Sequence, residues 1–565
     1  MDPAARRRAG LLGVFFCAIF LVLLFKLYAI QILDHDKHAA RRRIQSTGRV
    51  VMEIPRGAIY DARGQVLAVS VPVESVWADP SVLADVPAAA RLLSGALGLR
   101  EGELVERLSR ERLKFMWIKR RVSPAEAEAV RNLAEQPPFK IDRRSPERKL
   151  GLLTEFKRQY PHGPLLGNVI GFESADLGQD EGLERTLASF LTTPSQSFTV
   201  AKDGKRQLMG AAPVDLAGVE AHLTIDVLLQ KVVEEELDVA CGEYQPKWAV
   251  ALVMDPRTGA ILALANRPAF DPNAPGNATA DSRLNRAVAA PIEPGSTLKP
   301  FVAAVAIDLG LARPEMKIDC EMGLWKRGPR LLHDHHPYGT LTLADVIIFS
   351  SNIGAAKIGA IILGQKRLYE CMQRWGFGER TGVDLPAEDG GRLFPLSRWT
   401  IYSETSVPMG HEIAVTPIQL VAAMSAIANG GTLYRPYMVR RVNASDGTVL
   451  VEGGPHAVRR VIGEKASREM IKILEGVVEG GTGKKAQVAG IKVAGKTGTS
   501  QKVDPRTRQY GHDKYISSFV GFAPANDARL CVVVIVDEPQ GAYYGGTVAA
   551  PVAGRIIQRG LVCMK

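Results

Sequence analysis

The strongest hydrophobic feature of the chain is an apolar run near its amino terminus. Residues 11–25 carry no polar side chain, and the run continues to Leu33 with only Lys26 and Gln31 as interruptions. A membrane helix needs roughly 20 apolar residues, and a lysine near its end can extend to the lipid headgroups. We therefore predict a cytoplasmic tail over residues 1–10 and a single transmembrane anchor over residues 11–33.

A cleaved signal peptide is the alternative interpretation of this run, with Arg6–Arg8 as its basic region. The run exceeds the usual apolar core of a signal peptide, and no clear small-x-small cleavage site follows it. Arg6–Arg8 favour a cytoplasmic amino terminus, but Arg41–Arg43 lie close to the other end of the run. Positively charged residues favour the cytoplasmic side, and here they give nearly equal support to the two orientations.

The chain between the anchor and residue 220 mixes short strand patterns with charged helices. Residues 56–65 have the pattern of a strand that enters a glycine-closed turn, and residues 101–112 and 124–135 have helical character. Residues 150–215 mix short strands with loops. Because 565 residues are too many for one hydrophobic core, we expect residues 34–220 to form a separate domain.

From residue 221 onward the pattern indicates an α+β domain. His222–Asp226 predicts a strand that ends at a helix N-cap, and a capping box at Thr416 begins a helix that should stop near Asn429. Four apolar segments have the character of paired strands: 249–254, 260–265, 516–523 and 530–536. Strands at both ends of a helical region predict one antiparallel sheet flanked by helices over residues 221–565.

Charge and cysteine content exclude some classes of protein. The net charge of +11 is spread along the chain without a basic stripe or a reading motif, so we expect no nucleic-acid partner. The six cysteines are scattered, and no two form a C-x-x-C pair. This spacing predicts neither a zinc site nor a small disulfide framework.

The first candidate for chemistry is the segment that contains Ser296 and Lys299. Pro294 and Gly295 turn the chain ahead of an apolar helical run, so both side chains should lie on one face near the helix start. A serine hydroxyl is a poor nucleophile until a base removes its proton, and a desolvated, neutral lysine can be that base. The helix N-terminus also offers the Ser296 N–H group to a developing oxyanion.

Two further motifs follow in chain order. Ser350-Ser351-Asn352 comes after an apolar helical segment, and the strand-like residues 494–499 contain Lys496-Thr497-Gly498-Thr499. Ser-x-x-Lys, Ser-x-Asn and Lys-Thr-Gly together form the signature of penicillin-binding proteins and class A β-lactamases. On these motifs the chain resembles the class B penicillin-binding proteins, the D,D-transpeptidases that cross-link peptidoglycan.

The resemblance extends over nearly the whole chain. The other blocks that are similar to this family are Arg56–Asp61, Glu181–Glu184, Asn285–Ala287, Phe377–Gly382 and Tyr543–Gly546. It implies a transpeptidase domain with the serine β-lactamase-like fold over residues 221–565. It also implies an elongated, non-catalytic pedestal of the dimerisation type over residues 34–220. Length, single anchor and the absence of a carboxy-terminal accessory domain are most similar to the division-specific branch.

The resemblance also implies a role for each motif residue. Ser296 would attack the penultimate D-Ala carbonyl of a stem pentapeptide, and Lys299 would be the general base. Ser350 and Asn352 would relay protons and hold the substrate amide, and Lys496 would bind the terminal carboxylate. An amine of a neighbouring stem peptide would then take the acyl group.

Residues beside these complete the implied site. Thr497, Gly498 and Thr499 would bind substrate, and the N–H groups of Ser296 and Thr499 would form the oxyanion hole. Four residues either border the cleft or form a plain turn: Tyr543, Tyr544, Gly545 and Gly546. No metal or organic cofactor is implied.

The implied biology is cell-wall synthesis at the cytoplasmic membrane, with the catalytic domain on the extracytoplasmic (periplasmic) side. β-Lactams mimic D-Ala-D-Ala and would acylate the same serine. The expected partners are the membrane, a membrane glycan polymerase and other divisome proteins. Septal cross-linking is the leading expectation, and an elongation-specific or sporulation-type transpeptidase is the alternative.

Other enzymes and a silent scaffold are weaker interpretations. A class A β-lactamase deacylates with a glutamate, but no Glu-x-x-x-Asn element lies between Asn352 and Lys496, and Ser351 stands where those enzymes have Asp. A D,D-carboxypeptidase shares the motifs but seldom has so large a pedestal or an amino-terminal anchor. A non-catalytic scaffold should have decayed motifs, and a sensor should have a signalling module before the anchor.

Two segments imitate other kinds of site. His333-Asp334-His335-His336 looks like a metal cluster, but the adjacent Pro337–Gly339 predicts a loop without metal. Gly480–Lys485 resembles a phosphate loop, but it lacks the required first glycine and the final Ser or Thr. We expect a flexible turn there, beside the strand of the active site.

Overall fold

The computed structural model divides the chain into two compact units. The first comprises Met1–Pro55 with Thr193–Ala217, and the second Arg56–Thr192 with Gly218–Lys565. The residues that the structure describes are 3–37, 47–52, 54–110, 113–141, 149–174, 179–192, 196–202, 208–209, 218–503 and 510–564. Arg41–Arg43, which bear on membrane orientation, lie outside these ranges.

The strands are numbered in chain order. They are β1 (Thr47–Met52), β2 (Ala58–Tyr60), β3 (Val66–Ala78), β4 (Met116–Val122), β5 (Leu150–Gln159), β6 (Gln196–Lys202), β7 (Leu208–Met209), β8 (Glu220–Leu223), β9 (Trp248–Met254), β10 (Ile261–Arg267), β11 (Lys317–Asp319), β12 (Leu324–Arg327), β13 (Arg330–His333), β14 (Thr340–Thr342), β15 (Arg392–Leu393), β16 (Ile413–Ala414), β17 (Thr432–Tyr434), β18 (Val439–Asn443), β19 (Val449–Glu452), β20 (Ala457–Arg460), β21 (Ala494–Val503), β22 (Tyr510–Ala523) and β23 (Leu530–Asp537).

The α-helices are numbered in the same way. They are α1 (Pro3–Tyr28), α2 (Val86–Leu97), α3 (Glu101–Leu108), α4 (Pro124–Ala134), α5 (Gly167–Ile170), α6 (Gly182–Thr186), α7 (Ala188–Leu191), α8 (Val227–Tyr244), α9 (Ala280–Arg283), α10 (Arg286–Ala289), α11 (Lys299–Asp308), α12 (Leu343–Ile348), α13 (Asn352–Lys357), α14 (Gly364–Arg374), α15 (Ser403–Ser406), α16 (Pro417–Ala428), α17 (Glu464–Glu479) and α18 (Gly545–Cys563).

The first unit contains the apolar helix and a small antiparallel sheet. Helix α1 continues as a short π-helix over Ala29–Leu33, and the apolar stretch Gly10–Leu33 is long enough to cross a membrane. This stretch matches the predicted anchor over residues 11–33. Strands β1, β6 and β7 form the sheet of this unit.

The second unit is built on a five-stranded antiparallel sheet with the order β10-β9-β23-β22-β21. The four segments predicted as paired strands meet in this sheet, where Trp248 pairs with Asp537 and Met254 with Cys531. The α+β prediction for this region is thereby confirmed. Every residue of β23 is buried, because helices cover both faces of the sheet.

Alternation along β9 explains how one strand serves two cores. Val250, Leu252 and Met254 belong to the core that contains α16. The residues between them, Ala249, Ala251 and Val253, belong to the core that contains α8 and α18. Successive side chains of a strand point to opposite faces of the sheet, so a continuous apolar run can pack against helices on both faces.

A second sheet has the order β19-β18-β8-β2-β3-β4, with β5 also paired to β3. It contains strands from both sides of the predicted boundary at residue 220, which stays a prediction. Helices α2, α3 and α4 cover β3–β5 with a small core of their own. Helix α3 ends at Leu108, earlier than residue 112, and residues 111–112 lie outside the described part.

A buried ion cluster joins three segments of this region. The Glu184 side chain is fully buried, and its Oε1 accepts a hydrogen bond from Arg158 Nε at 2.6 Å. Arg56 Nε lies 2.7 Å from Glu184 Oε2. Arg158 also donates to the Gly57 carbonyl at 2.7 Å. Two of the blocks noted in the sequence, around Arg56 and Glu184, therefore meet in one charged cluster.

Candidate active site

Ser296 lies in a tight turn that leads into a buried helix. A 3₁₀ turn over Gly295–Leu298 precedes α11, and Gly295 has a φ of +56° and donates its N–H to the Gly410 carbonyl at 3.1 Å. Pro300 occupies the first turn of α11, where its missing N–H costs nothing. Ser296 is half-buried and Lys299 is 1% exposed.

The ammonium group of Lys299 contacts the Ser-x-Asn segment. Its Nζ donates to the Ser350 carbonyl at 2.7 Å, to Asn352 Oδ1 at 2.8 Å and to Ser350 Oγ at 3.2 Å. In the described part of the chain it makes no hydrogen bond to Ser296. Burial lowers the pKa of Lys299 to about 7, although the nearby Asp334 carboxylate opposes this shift. A large share of the amine is therefore neutral near pH 7 and able to accept a proton.

Ser350 stands between two lysines. Its backbone is left-handed, with a φ of +63°, and its Oγ accepts a hydrogen bond from Lys496 Nζ at 3.0 Å. Burial, together with the charge of Lys299, lowers the pKa of Lys496 well below its usual range. One hydroxyl with an amine on each side can pass a proton between them.

The Lys-Thr-Gly motif lies on β21, the edge strand of the five-stranded sheet. A Cβ atom on Gly498 would lie 2.9 Å from the Pro294 carbonyl oxygen, and one on Gly295 would lie 3.1 Å from the Thr499 carbonyl oxygen. Glycine at both positions lets the turn of Ser296 pack closely against the strand. The two predicted oxyanion donors therefore lie on adjacent segments, and their role stays a prediction.

A cavity of about 520 Å³ opens beside these groups. Ser296, Ser350, Thr497 and Thr499 line it. Its other lining residues are His335, His336, Tyr338, Phe349, Thr482, Lys484, Lys485, Tyr544, Gly546 and Thr547. The structure thus brings the three predicted motifs to one cleft.

The Tyr543–Gly546 segment lies at the border of this cleft. Tyr544 and Gly546 line the cavity, and the Gly545 N–H donates to Thr499 Oγ1 at 3.0 Å. A Cβ atom on Gly545 would lie 2.2 Å from the Gly498 carbonyl oxygen. The Tyr543 ring instead stacks on Tyr515 at 4.2 Å between centroids. These contacts favour the interpretation as a cleft border over that as a plain turn.

Asp334 is a residue of the site that sequence reasoning missed. Its Oδ2 accepts a hydrogen bond from Ser351 Oγ at 2.6 Å, and its Oδ1 accepts from the backbone N–H groups of Asn352 and Ile353, the latter at 3.1 Å. The carboxylate thereby caps α13 and fixes the Ser-x-Asn segment. In the sequence this residue was noted only as part of the His333–His336 segment.

The segment after Gly410 was also missed. Glu293 Oε2 lies 3.0 Å from His411 Nδ1, and Glu293 Oε1 accepts from the Glu412 N–H at 3.1 Å. The Tyr510 hydroxyl donates to Glu293 Oε2 at 3.1 Å. These contacts hold the chain just before Ser296, and no local sequence pattern at residues 410–412 pointed to them.

The structure describes both segments that resemble other kinds of site, His333–His336 and Gly480–Lys485. In the described part of the chain, no group of three or more His, Cys, Asp or Glu side chains is placed to hold a metal ion. Burial and the charge of Lys299 lower the pKa of His335. Gly480–Lys485 forms a turn after α17, where Thr482 Oγ1 lies 2.6 Å from Thr497 Oγ1. This turn lies beside the strand of the active site, as expected.

Two family descriptions match the chain. The Penicillin binding protein transpeptidase domain matches residues 249–558, and the Penicillin-binding Protein dimerisation domain matches residues 52–190. Both lie within the ranges expected for the catalytic and pedestal regions.

Curated relatives match over most of their length. The chain is 35% identical over 506 residues to the probable peptidoglycan D,D-transpeptidase PenA of Neisseria meningitidis, covering 88% of this chain and 82% of PenA. It is 32% identical to stage V sporulation protein D of Bacillus subtilis, covering 99% and 86%. It is 31% identical to the peptidoglycan D,D-transpeptidase FtsI of Escherichia coli, covering 95% and 88%.

Solved structures share the fold. Penicillin binding protein 3 from Mycobacterium tuberculosis, complexed with ampicillin, superposes with a TM-score of 0.69 at 26% identity, covering 91% of this chain and 96% of that chain. The matched domains, the curated relatives and this fold all indicate the same family. The chain therefore belongs to the penicillin-binding proteins that have a transpeptidase domain and a dimerisation domain.

Proposed function

We propose that this protein is a peptidoglycan D,D-transpeptidase in which Ser296 is the nucleophile. The observation that carries the proposal is the Ser350 hydroxyl, which contacts buried Lys299 and Lys496 beside the turn of Ser296. A serine reacts as a nucleophile when a nearby base is neutral at working pH. The lowered pKa of Lys299 meets this requirement.

In the acylation step, Ser296 Oγ bonds to the penultimate D-Ala carbonyl carbon of a stem pentapeptide. Its proton passes to Lys299, and the N–H groups of Ser296 and Thr499 stabilise the oxyanion. The amide C–N bond then breaks, and D-Ala leaves with a proton.

The other motif residues bind substrate and move that proton. Lys496 and Thr497 bind the terminal carboxylate, assisted by Gly498 and Thr499, because a cation and hydroxyls form strong hydrogen bonds to a carboxylate. Ser350 relays the proton to the leaving amine. Asn352 holds the substrate amide and fixes Lys299 through its Oδ1. An amine of a neighbouring stem peptide then takes the acyl group from Ser296.

Labelling with fluorescent penicillin tests the nucleophile. The protein without its predicted anchor is incubated with the probe in three forms: wild type, Ser296→Ala and the control Ser109→Ala. Ser109 is an exposed serine of the other predicted domain. We expect covalent label on wild type and on the control and none on Ser296→Ala. Equal labelling of all three proteins would remove Ser296 from this role.

We infer a septal role from the similarity to FtsI of Escherichia coli. The similarity to a stage V sporulation protein of Bacillus subtilis keeps a sporulation role as the second candidate. Depletion in growing cells separates these possibilities: filaments would support septal work, rounded cells would indicate elongation, and normal vegetative growth would favour sporulation.

We also propose that the catalytic domain lies outside the cytoplasmic membrane and works with a membrane glycan polymerase and other divisome proteins. The apolar stretch Gly10–Leu33 supports anchoring, and peptidoglycan lies outside the membrane. A protease added to intact spheroplasts should remove the penicillin-labelled domain, and its protection would overturn the orientation. When the full chain is purified from a detergent extract of membranes, a glycan polymerase should copurify with it. Purification of the chain without a polymerase would count against that partner.

A further inference from the structure

The cleft that contains Ser296 has a basic end formed by Lys484 and Lys485. Both lysines are exposed and line the cavity. Within the described ranges, no carboxylate lies within 4 Å of either ammonium group, and the residues that line the cavity include no Asp or Glu. Two lysines without a carboxylate partner therefore line the space where substrate is expected.

The turn that carries these lysines is fixed to the active-site strand. A 3₁₀ turn spans Lys484–Ala486, and Ala486 is fully buried. The Thr482 hydroxyl lies 2.6 Å from that of Thr497, and Gln487 Nε2 donates to the Val478 carbonyl at 3.0 Å. The two ammonium groups are thus attached to a backbone with a defined position.

Positions along β21 place the lysines on one side of the nucleophile. The Thr499 carbonyl lies against Gly295, next to Ser296, whereas Thr497 lies two residues back along the strand and contacts Thr482. In the proposed function Thr497 binds the carboxylate of the departing D-Ala. Lys484 and Lys485, which follow Thr482, therefore lie on the side of the leaving group, which is vacated before the acceptor amine attacks.

We propose that Lys484 and Lys485 form a carboxylate-binding subsite for the acyl acceptor, so that the preferred acceptor is an amine of an acidic peptide. The inference rests on the proposed transpeptidase function and deepens it. Ammonium groups attract a carboxylate. They also disfavour a third positive charge nearby, so they favour the neutral, nucleophilic form of the acceptor amine.

The step that this subsite assists is aminolysis of the acyl-enzyme. The amine nitrogen bonds to the acyl carbon, and the bond from that carbon to Ser296 Oγ breaks. The proton lost by the amine returns to Ser296 Oγ through Lys299. No other reactant is needed.

The test compares two acceptors that differ by one carboxylate. The acyl-enzyme is formed from an N-acyl-D-alanyl thioester, and acyl transfer to D-glutamate and to D-glutamine is measured by separating the products. The ratio of the two products cancels any change in acyl-enzyme formation. The proteins are wild type, Lys484→Ala/Lys485→Ala, Lys484→Arg/Lys485→Arg and the control Lys366→Ala/Lys465→Ala, which removes two exposed lysines elsewhere.

We expect wild type, the arginine variant and the control to favour D-glutamate by roughly three- to tenfold. The alanine variant should show a ratio near one. An equal ratio in all four proteins, or no transfer to D-glutamate by wild type, would overturn the subsite. Ser296-dependent penicillin labelling is measured on the same samples, so failure of the subsite is separated from failure of the proposed function.

Discussion

At the scale of single residues, the proposed chemistry depends on the charge state of two buried lysines. Lys299 and Lys496 both contact the Ser350 hydroxyl, and both have a lowered pKa. Two like charges this close, in a site shielded from water, disfavour each other. The site therefore favours a state in which at least one amine is neutral, as general-base catalysis requires.

The rate of acylation should depend on pH through Lys299. Its pKa is lowered to about 7, so the amine is mostly protonated at pH 6 and mostly neutral at pH 8. We expect the second-order rate constant for acylation by benzylpenicillin to rise about tenfold between these values and then to level off. Stopped-flow or quenched-label kinetics measure it. A rate constant that is flat from pH 5 to 8 would contradict a titrating base.

Asp334 should tune this pH dependence. Its negative charge raises the pKa of Lys299 against the effect of burial, so Asp334→Asn should move the acid limb of the profile to lower pH. Asp334→Ala also removes the acceptor of the Ser351 and Ile353 contacts and should lower the rate constant by about 100-fold, as misplaced catalytic groups do. Asp319→Asn, on an exposed residue nearby, is the matched control. If Asp334→Asn left the acid side of the pH profile unchanged, the effect of the Asp334 charge on the pKa of Lys299 would be refuted.

Sequence reasoning located the motif residues that lie close together along the chain. Ser296 and Lys299 lie within one helical turn, and the Lys496–Thr499 motif lies on a single strand, so local pattern was sufficient. Asp334 contacts residues 17 to 19 positions away, beyond β14 and α12. The groups that bind its carboxylate are distant in sequence and approach it only in the folded structure. The spacing of Ser296 and Lys299 did not indicate that Lys299 would contact Ser350 and Asn352.

At the scale of elements, close packing of backbone segments positions Ser296, the proposed nucleophile. The 3₁₀ turn of Ser296 lies between β21 and the segment that contains Gly410. Glycine at each contact lets main-chain atoms approach, where any side chain would push the segments apart. Such contacts between distant segments could not be predicted from the chain alone, although the strands and helices around them could.

Gly410→Ala should displace the turn of Ser296. Its φ is +84°, and a Cβ atom would lie 2.0 Å from the Gly295 carbonyl oxygen. We expect a loss of at least about tenfold in acylation rate together with a lower melting temperature. Gly447→Ala is the matched control because its φ is also +84° and nothing lies within 4 Å of the added atom. Equal effects of both variants would show that backbone strain, and not the contact with Gly295, is responsible.

At the scale of the whole molecule, the second unit joins the pedestal region to the catalytic region through shared strands. Strands β2 and β8 pair in parallel across the predicted boundary at residue 220. The helices and strands on each side were predictable from periodicity, but this pairing was not, because it depends on residues that are far apart in sequence. Buried charges in the same region add a test of stability.

Glu184→Ala should destabilise the second unit strongly. The carboxylate is fully buried between Arg56 and Arg158. Its removal leaves the buried Arg158 guanidinium without its counter-charge, while Arg56 keeps its ion pair with Asp180. We expect a loss of about 3–5 kcal/mol in the free energy of unfolding, measured by denaturant titration. Glu128→Ala removes an exposed ion pair with Arg131 and should cost less than about 1 kcal/mol. Similar losses for the two variants would contradict the importance of burial.

The five-stranded sheet has a consequence for how the protein is made. Strand β9 pairs with both β10 and β23, so Trp248 pairs with Asp537 near the end of the chain, and the edge strand β21 pairs with β22. Long-range pairing of this kind slows folding because a large loop must close first. During translation the nascent chain emerges with its membrane anchor first, while the reactive cleft stays incomplete until the last strands leave the ribosome. The newly synthesised enzyme is therefore tethered before it is competent to react.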